Sequence, residues 1–205
     1  MSKTFRLLLP LLAIYIVGCP SPEIRPRHTK PFPQTVALLP MDNHSNSLLG
    51  PVLLRKLLED ILSGSSIDVQ DTKDTDAILK KAGITDGGQL GSMTPEKLGK
   101  LLGVDGLLYG ELLDFNYTNI GIISKRSVKA RLYLVDPATG DTTWDATKQE
   151  VNSKTAFTAD AMKENFALGL GTKLLETAMQ SPLRPETETV ARDLLGDLGR
   201  AKRSW

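Results

Sequence analysis

The chain is poor in the residues that most often carry chemistry. It has one cysteine, Cys19, and only two histidines. A lone cysteine excludes an internal disulfide framework, and so few His and Cys leave little material for a metal site of that type. Aromatic residues are 5% of the chain, which argues mildly against a sugar pocket built on stacked rings. Neither sign of charge dominates, since 25 basic residues face 24 acidic ones. No basic stripe points to nucleic acid. The motifs G-x-S-x-G, H-E-x-x-H and the P-loop are all missing. The composition otherwise is globular, with 40% hydrophobic and 24% charged residues in a chain of 205, enough for one domain with an appendage.

Long hydrophobic runs are lacking too. The longest near the N-terminus is Leu7–Val17, interrupted by Pro10. A helix needs about 20 apolar residues to span a bilayer, so this run has instead the length of a signal-peptide core, with Lys3 and Arg6 as its positive flank. It ends in Ile16-Val17-Gly18-Cys19, which looks like a lipobox: apolar residues, a small residue at the cleavage position, then a thiol that can carry diacylglycerol as a thioether. Cleavage between Gly18 and Cys19 and lipidation of Cys19 are the expectation. A plain secretory signal with a chance cysteine, or a buried N-terminal helix, is the alternative. Loss of residues 1–18 moves the net charge from +1 to −1. Several acyl chains, each buried CH₂ worth about 0.8 kcal/mol, hold a protein to a membrane durably. Pro20 follows the cysteine where an Asp would favour inner-membrane retention, so the outer membrane, facing the periplasm, is expected.

Residues 19–34 read as a lipidated cysteine and a proline-rich tether. Five prolines between Pro20 and Gln34 favour extended polyproline-like chain, with a reach of roughly 45 Å at about 3.1 Å per residue. His28 lies in it without a ligand-type neighbour.

Residues 35–181 read as one α+β domain with a single mixed sheet. "TVALLPMDN" (35–43) is a buried strand. Apolar residues at 49, 53, 54, 57, 58, 61 and 62 give a helix over 48–62, with Pro51 in its first turn. "GSSIDVQD" (64–71) is a short strand and 72–83 a helix stopped by Gly83. Residues 94–103 form a helix with Thr94 as N-cap, Pro95 at the first position and Gly103 as stop. In "VDGLLYGELLDFNY" (104–117) both alternating sets are apolar, with Leu107, Tyr109, Leu113 and Phe115 on one and Leu108 and Leu112 on the other, as in a central strand covered on both faces. Residues 125–151 form a hairpin about the turn Pro137–Gly140, with Val128, Ala130, Leu132 and Leu134 inward. A long amphipathic helix is expected over 158–180, where Gly169 and Gly171 mark close packing on the sheet or on another subunit. Residues 182–205 hold a C-terminal amphipathic helix (186–203) with the stripe Val190, Leu194, Leu195 and Leu198, which docks on the domain, frays or binds a partner.

Candidate sites are few. The loop Met41–Asn46 places Asp42, Asn43, His44, Ser45 and Asn46 after the first strand, where a small ligand or metal is conceivable. A turn that caps the next helix explains the same residues. Residues 85–92 are glycine-rich but lack phosphate-loop spacing. Asp105 and Glu111 should share one face of their strand, with Asp114 on the other, a weak catalytic pair. "SKRSVKAR" (124–131) is basic without interleaved aromatics and fits the solvated face of a strand. No cofactor and no catalytic or metal residue is assigned. A hydrolase would have to use Asp42, His44 or Glu111.

The lipobox, "VALLPMDN", "LGVDGLLYGELLDFNY" and "VKARLYLVDPATGDTTWDA" together resemble a family of bacterial lipoproteins of unknown function typified by a meningococcal surface antigen. Its strand motif falls on Gly103, Asp105, Gly106, Leu108 and Tyr109, and its hairpin motif on Leu134, Val135, Asp136, Thr139, Gly140 and Trp144, within residues 35–180. The same logic is similar to that of the curli secretion channel lipoprotein (CsgG-like), LpoB-like synthase activators and the TolB amino-terminal domain, although no pair of long membrane-spanning hairpins is evident here. The C-terminal helix lies beyond the pattern. The resemblance implies an α+β domain used for assembly at the envelope, with no enzyme activity. The expected partners are the membrane through the lipid anchor, and other envelope lipoproteins or further copies of the chain, with no nucleic acid. A solute- or glycan-binding lipoprotein is the alternative. Replacing Cys19 by Ala should abolish incorporation of labelled palmitate; retained label in C19A would refute the lipobox.

Overall fold

The computed structural model describes residues 31–120, 123–155 and 181–205. The N-terminal run, Cys19, most of the tether and the helix expected over 158–180, with Gly169 and Gly171, lie outside the described residues.

The elements are β1 (Thr35–Leu38), β2 (Asp42–Asn43), α1 (Gly50–Ser63), β3 (Asp68–Val69), α2 (Thr72–Lys81), a 3-10 turn (Gly87–Ser92), α3 (Pro95–Leu102), β4 (Gly106–Asn119), β5 (Ile123–Val135), β6 (Thr142–Thr155) and α4 (Arg184–Ser204). They form the expected α+β fold about one mixed sheet of order β3-β1-β4-β5-β6, with β2 pairing β4 beyond the end of β1. β1 runs parallel to β3 and β4, while β4, β5 and β6 form an antiparallel meander.

The two parallel crossovers run across the sheet in opposite directions, from β1 through α1 to β3 and then back from β3 through α2 and α3 to β4. Crossovers of the common right hand then land on opposite faces, and they do. β1 alternates between the two cores: Val36 and Leu38 join α1, whereas Ala37 and Leu39 join α2 and α3. Leu53, Leu54, Leu57, Leu58 and Leu62 bury the stripe of α1 as its spacing predicts, but Leu49 is the N-cap and stays 45% exposed. The signals at α3 all act as read. Thr94 Oγ1 accepts from Lys97 N, Pro95 opens the helix, and Gly103 closes it in the left-handed region at φ 71°.

β4 corrects one expectation. The register steps between Leu112 and Asp114, so Leu113 is an extra residue opposite β5. The bulge reverses the alternation. Phe115 and Tyr117 therefore join Leu108 and Leu112 over the α1 core rather than Leu107 and Tyr109. The hairpin turn behaves as read, with Gly140 at φ 78° donating its N–H to Asp136 O at 2.8 Å. Pro137 of that turn packs on α3 at Gly99, where a Cβ would lie 2.4 Å from the proline Cβ.

Of the outcomes left open for the C-terminal helix, docking is the one found. Val190, Leu194, Leu195 and Leu198 are buried in the α1 core, and α4 starts two residues earlier than expected. Lys148 of β6 pairs with Asp197, and Trp205 meets Phe32 edge to face with ring centroids 5.3 Å apart. Leu194→Ala should cost about 2–5 kcal/mol of unfolding free energy. Leu48→Ala, at an exposed position, should change it by no more than about 0.5 kcal/mol. Chemical denaturation of both variants checks the pair, and equal effects would contradict the docking of α4.

Candidate functional site

After Leu39, whose N–H bonds Leu108 O, the chain makes a short parallel bridge to β4, pairing Asp42 with Glu111 and Asn43 with Leu112. The loop then closes on itself. Asn43 Oδ1 accepts from Ser45 N (3.0 Å) and Ser45 Oγ (2.8 Å), Ser45 Oγ accepts from Ser47 N, and Ser47 Oγ accepts from Gly50 N at 3.0 Å, serving the first turn of α1. Asx and Ser side chains here do the work of a helix-entry turn. His44 Nε2 lies 3.3 Å from Asp42 Oδ2, with both side chains well exposed. Among the described residues no group of three or more His, Cys, Asp or Glu is placed to hold a metal ion.

This loop borders an open groove of about 710 Å³ between α1, α2 and the 3-10 turn. It exists because β3 is only two residues long and leaves the later part of β1 uncovered on that side. Arg55 closes the open backbone there: Nη2 donates to Leu38 O at 2.9 Å and Nη1 to Asp76 at 2.8 Å. Lys56 holds Glu59 at 2.9 Å and Asp60 at 3.0 Å. Thr72 donates to Glu59 and, with Lys56, lowers the pKa of that carboxyl below its usual value. The rim is apolar and wet: Leu48, Leu49 and Val52 are 88%, 45% and 57% exposed. The sequence carried this signal. Val52 lies off the buried stripe of α1 and Leu48 lies just before its N-cap, so both are apolar residues left outside that stripe.

The carboxylates of β4 fall differently from the expectation. The bulge turns Asp114 to the same face as Glu111, opposite Lys129, where it accepts from Ser127 Oγ at 2.6 Å. Glu111 is opposite Arg131, whose Nη1 lies 3.3 Å from it, and Arg131 Nε reaches Asp145 at 3.0 Å. Glu111 and Asp114 thus sit in separate contacts and the Asp105 side chain has no partner among the described residues, so the three are not gathered about a reacting atom. The basic segment 124–131 is correspondingly not just a solvated face. Arg131 lies between two carboxylates, with the Asp145 hydrogen bond first in holding it protonated. Arg126 lies 3.8 Å from the buried Glu186 and over the Tyr117 ring at 5.6 Å. The Tyr133 ring has the Arg131 guanidinium over it at 4.7 Å from its centroid, and Tyr109 stacked on it at 5.1 Å.

These features define a mixed-sheet α+β domain with an open groove beside an apolar rim, in which Arg55, Lys56, Glu59, Glu111, Asp114 and Arg131 are tied in structural contacts. The sequence model of the GNA1162-like lipoprotein family matches residues 27–180, three quarters of the chain, and the chain belongs to that family. The crystal structure of lipoprotein GNA1162 from Neisseria meningitidis is similar at 19% identity and TM-score 0.56, covering 68% of this chain and 96% of that one. The protein CT253 from Chlamydia trachomatis is similar at 15% identity and TM-score 0.51, over 80% of this chain and 94% of that one. The LpoB C-terminal domain from Salmonella enterica gives 12% identity and TM-score 0.44, over 60% and 86%. No curated protein sequence matches the chain.

Burial, and then the neighbouring Tyr133, push the Tyr109 phenol up to about 12, and burial raises Tyr133 as well. A phenol held neutral in the fold stabilises it fully below about pH 10, the ordinary tyrosine value. That contribution is lost as pH rises through the folded-state value. Denaturation between pH 9 and 12 should show falling stability, and Tyr109→Phe should flatten the fall. An unchanged slope in Y109F would remove Tyr109 as its source.

Proposed function

We propose that this chain is a non-enzymatic, lipid-anchored accessory component of an envelope complex, in export, secretion or cell-envelope machinery. In this reading residues 1–18 are removed before Cys19, Cys19 carries the lipid, residues 19–34 form the tether, and the domain of 35–181 with its C-terminal helix of 182–205 faces the periplasm from the outer membrane. Membership of a lipoprotein family supports the anchor. The observation that carries the accessory role is the exposed set Leu48, Leu49 and Val52 beside the groove. Apolar side chains clustered on a surface and rimmed by charge mark sites of protein contact, and a few such anchors supply most of the binding energy of an interface.

The solute- or glycan-binding alternative has less support. The groove lining, from Pro40 and Met41 to Gly87 and Gly88, contains no aromatic ring on which a sugar would stack. The accessory reading can be tested by isolating the lipidated protein from gently solubilised membranes beside a Leu48→Asp/Val52→Asp variant. Wild type should bring down defined envelope partners in stoichiometric amounts, and the variant about tenfold less, the equivalent of about 1.4 kcal/mol. Recovery of wild type as an unaccompanied monomer would count decisively against it.

A further inference from the structure

The opposite end of the domain carries a second groove, of about 860 Å³, where the tether joins the sheet. Its apolar wall is Phe32, Pro33, Pro137 and Trp205, and its charged lining is Glu96, Asp105, Asp136, Asp141 and Lys100. The one cation, Lys100, is held by Glu96 at 2.6 Å. Lys202 stands nearby over the Phe32 ring at 5.2 Å and is tied to Ser66 O. The side chains of Asp105 and Asp141 are exposed and have no partner among the described residues. The groove is thus proline- and aromatic-walled, with a net negative lining.

The chain that runs out past Pro31 has the complementary character. Residues 25–30 are Arg-Pro-Arg-His-Thr-Lys, with three cations, no acid and a proline that favours extended backbone. They are joined to the groove wall itself, so their effective concentration at it is that of a short tether, in the millimolar range. We propose that this groove is the docking site of the chain's own tether, residues 25–30, with Arg25, Arg27 and Lys30 set against Asp105, Asp141 and the neighbouring acids. Docking shortens the tether. If Cys19 is the lipid attachment point, as the proposed function holds, about five residues remain between it and the docked segment, roughly 16 Å at 3.1 Å per residue. Release restores roughly 35 Å. The domain then has a near and a far position relative to its membrane, and salt or a competing cationic partner shifts it to the far one. Exposed charge pairs are screened over about 10 Å at 0.1 M salt, so the near position belongs to low ionic strength.

The tether has a built-in probe. Arg25 and Lys30 are each followed by proline, so Arg27–His28 is the one bond between Pro20 and Gln34 that trypsin cuts readily. The lipidated full chain in neutral detergent micelles is digested at low salt and at about 0.5 M NaCl, beside a free peptide of residues 20–34. Docking predicts cleavage at Arg27 at least about fivefold slower than in the peptide at low salt, and recovery of the peptide rate at high salt. It also predicts loss of protection at low salt in Asp105→Asn/Asp141→Asn, whose exposed side chains hold nothing else among the described residues. Cleavage of wild type at the peptide rate at low salt overturns the proposal, as does undiminished protection in the double variant. The mass of the released N-terminal fragment reports separately whether Cys19 carries lipid, so a failure of the anchor is not mistaken for a failure of docking.

Discussion

Leu107 and Leu108 leave β4 in opposite directions, and neither meets solvent. That double burial is the constraint from which the rest of the domain follows. β4 is parallel to β1 on one side and antiparallel to β5 on the other. A parallel strand needs cover on both faces, so α1 must lie on one side of the sheet and α2 and α3 on the other. Beyond the pairing of Asn43 with Leu112, β4 has no parallel neighbour among the described residues. From there it is half of an antiparallel ribbon with one apolar face, and the extra residue Leu113 falls at this change. The other face passes to the pairs of Glu111, Arg131 and Asp145, whose cross-strand positions suit charges better than core.

The apolar groove is a consequence of the same arrangement. α1 lies on the sheet from Gly50, and a Cβ there would meet the Leu112 and Phe115 side chains. Leu48 and Val52 are exposed and have no strand beneath them among the described residues, where β3 ends after two residues. Arg55 supplies to Leu38 the hydrogen bond that a longer β3 would have given. An edge satisfied by a side chain stays accessible beside it, which is why the apolar rim and the uncovered part of β1 occur together.

What was legible in the sequence is what short-range periodicity encodes. The α1 and α4 stripes, the Thr94-Pro95 start and Gly103 stop of α3, and the Pro137–Gly140 turn all act as their residue types dictate. The hairpin register fixed by that turn sets Tyr133 against Asp145, so the diagonal contact of Arg131 with Asp145 could have been drawn from sequence. The bulge could not. "ELLDFNY" has apolar residues in both alternating sets, so period two does not say where the phase changes. The pairing of Asp42 and Asn43 with β4 was equally hidden, since two polar residues joined only through backbone carry no pattern. For the candidate site, the Asx and Ser turn was readable from 43–47. The groove beside it was not, because it depends on a strand failing to continue.

The family match ends at residue 180, yet the helix beyond it is part of the core. Val190, Ala191, Leu194, Leu195 and Leu198 fill the face of β5 and β6 that α1 does not reach, and removing them would leave Ala130 and Leu132 open to water. The same helix carries Trp205 to Phe32 and Lys202 to Ser66. Phe32, in the short described segment before β1, is thereby held by packing that comes from the C-terminal helix. The start of the described chain and the core stripe of α4 are coupled, since whatever loosens that stripe also frees Phe32.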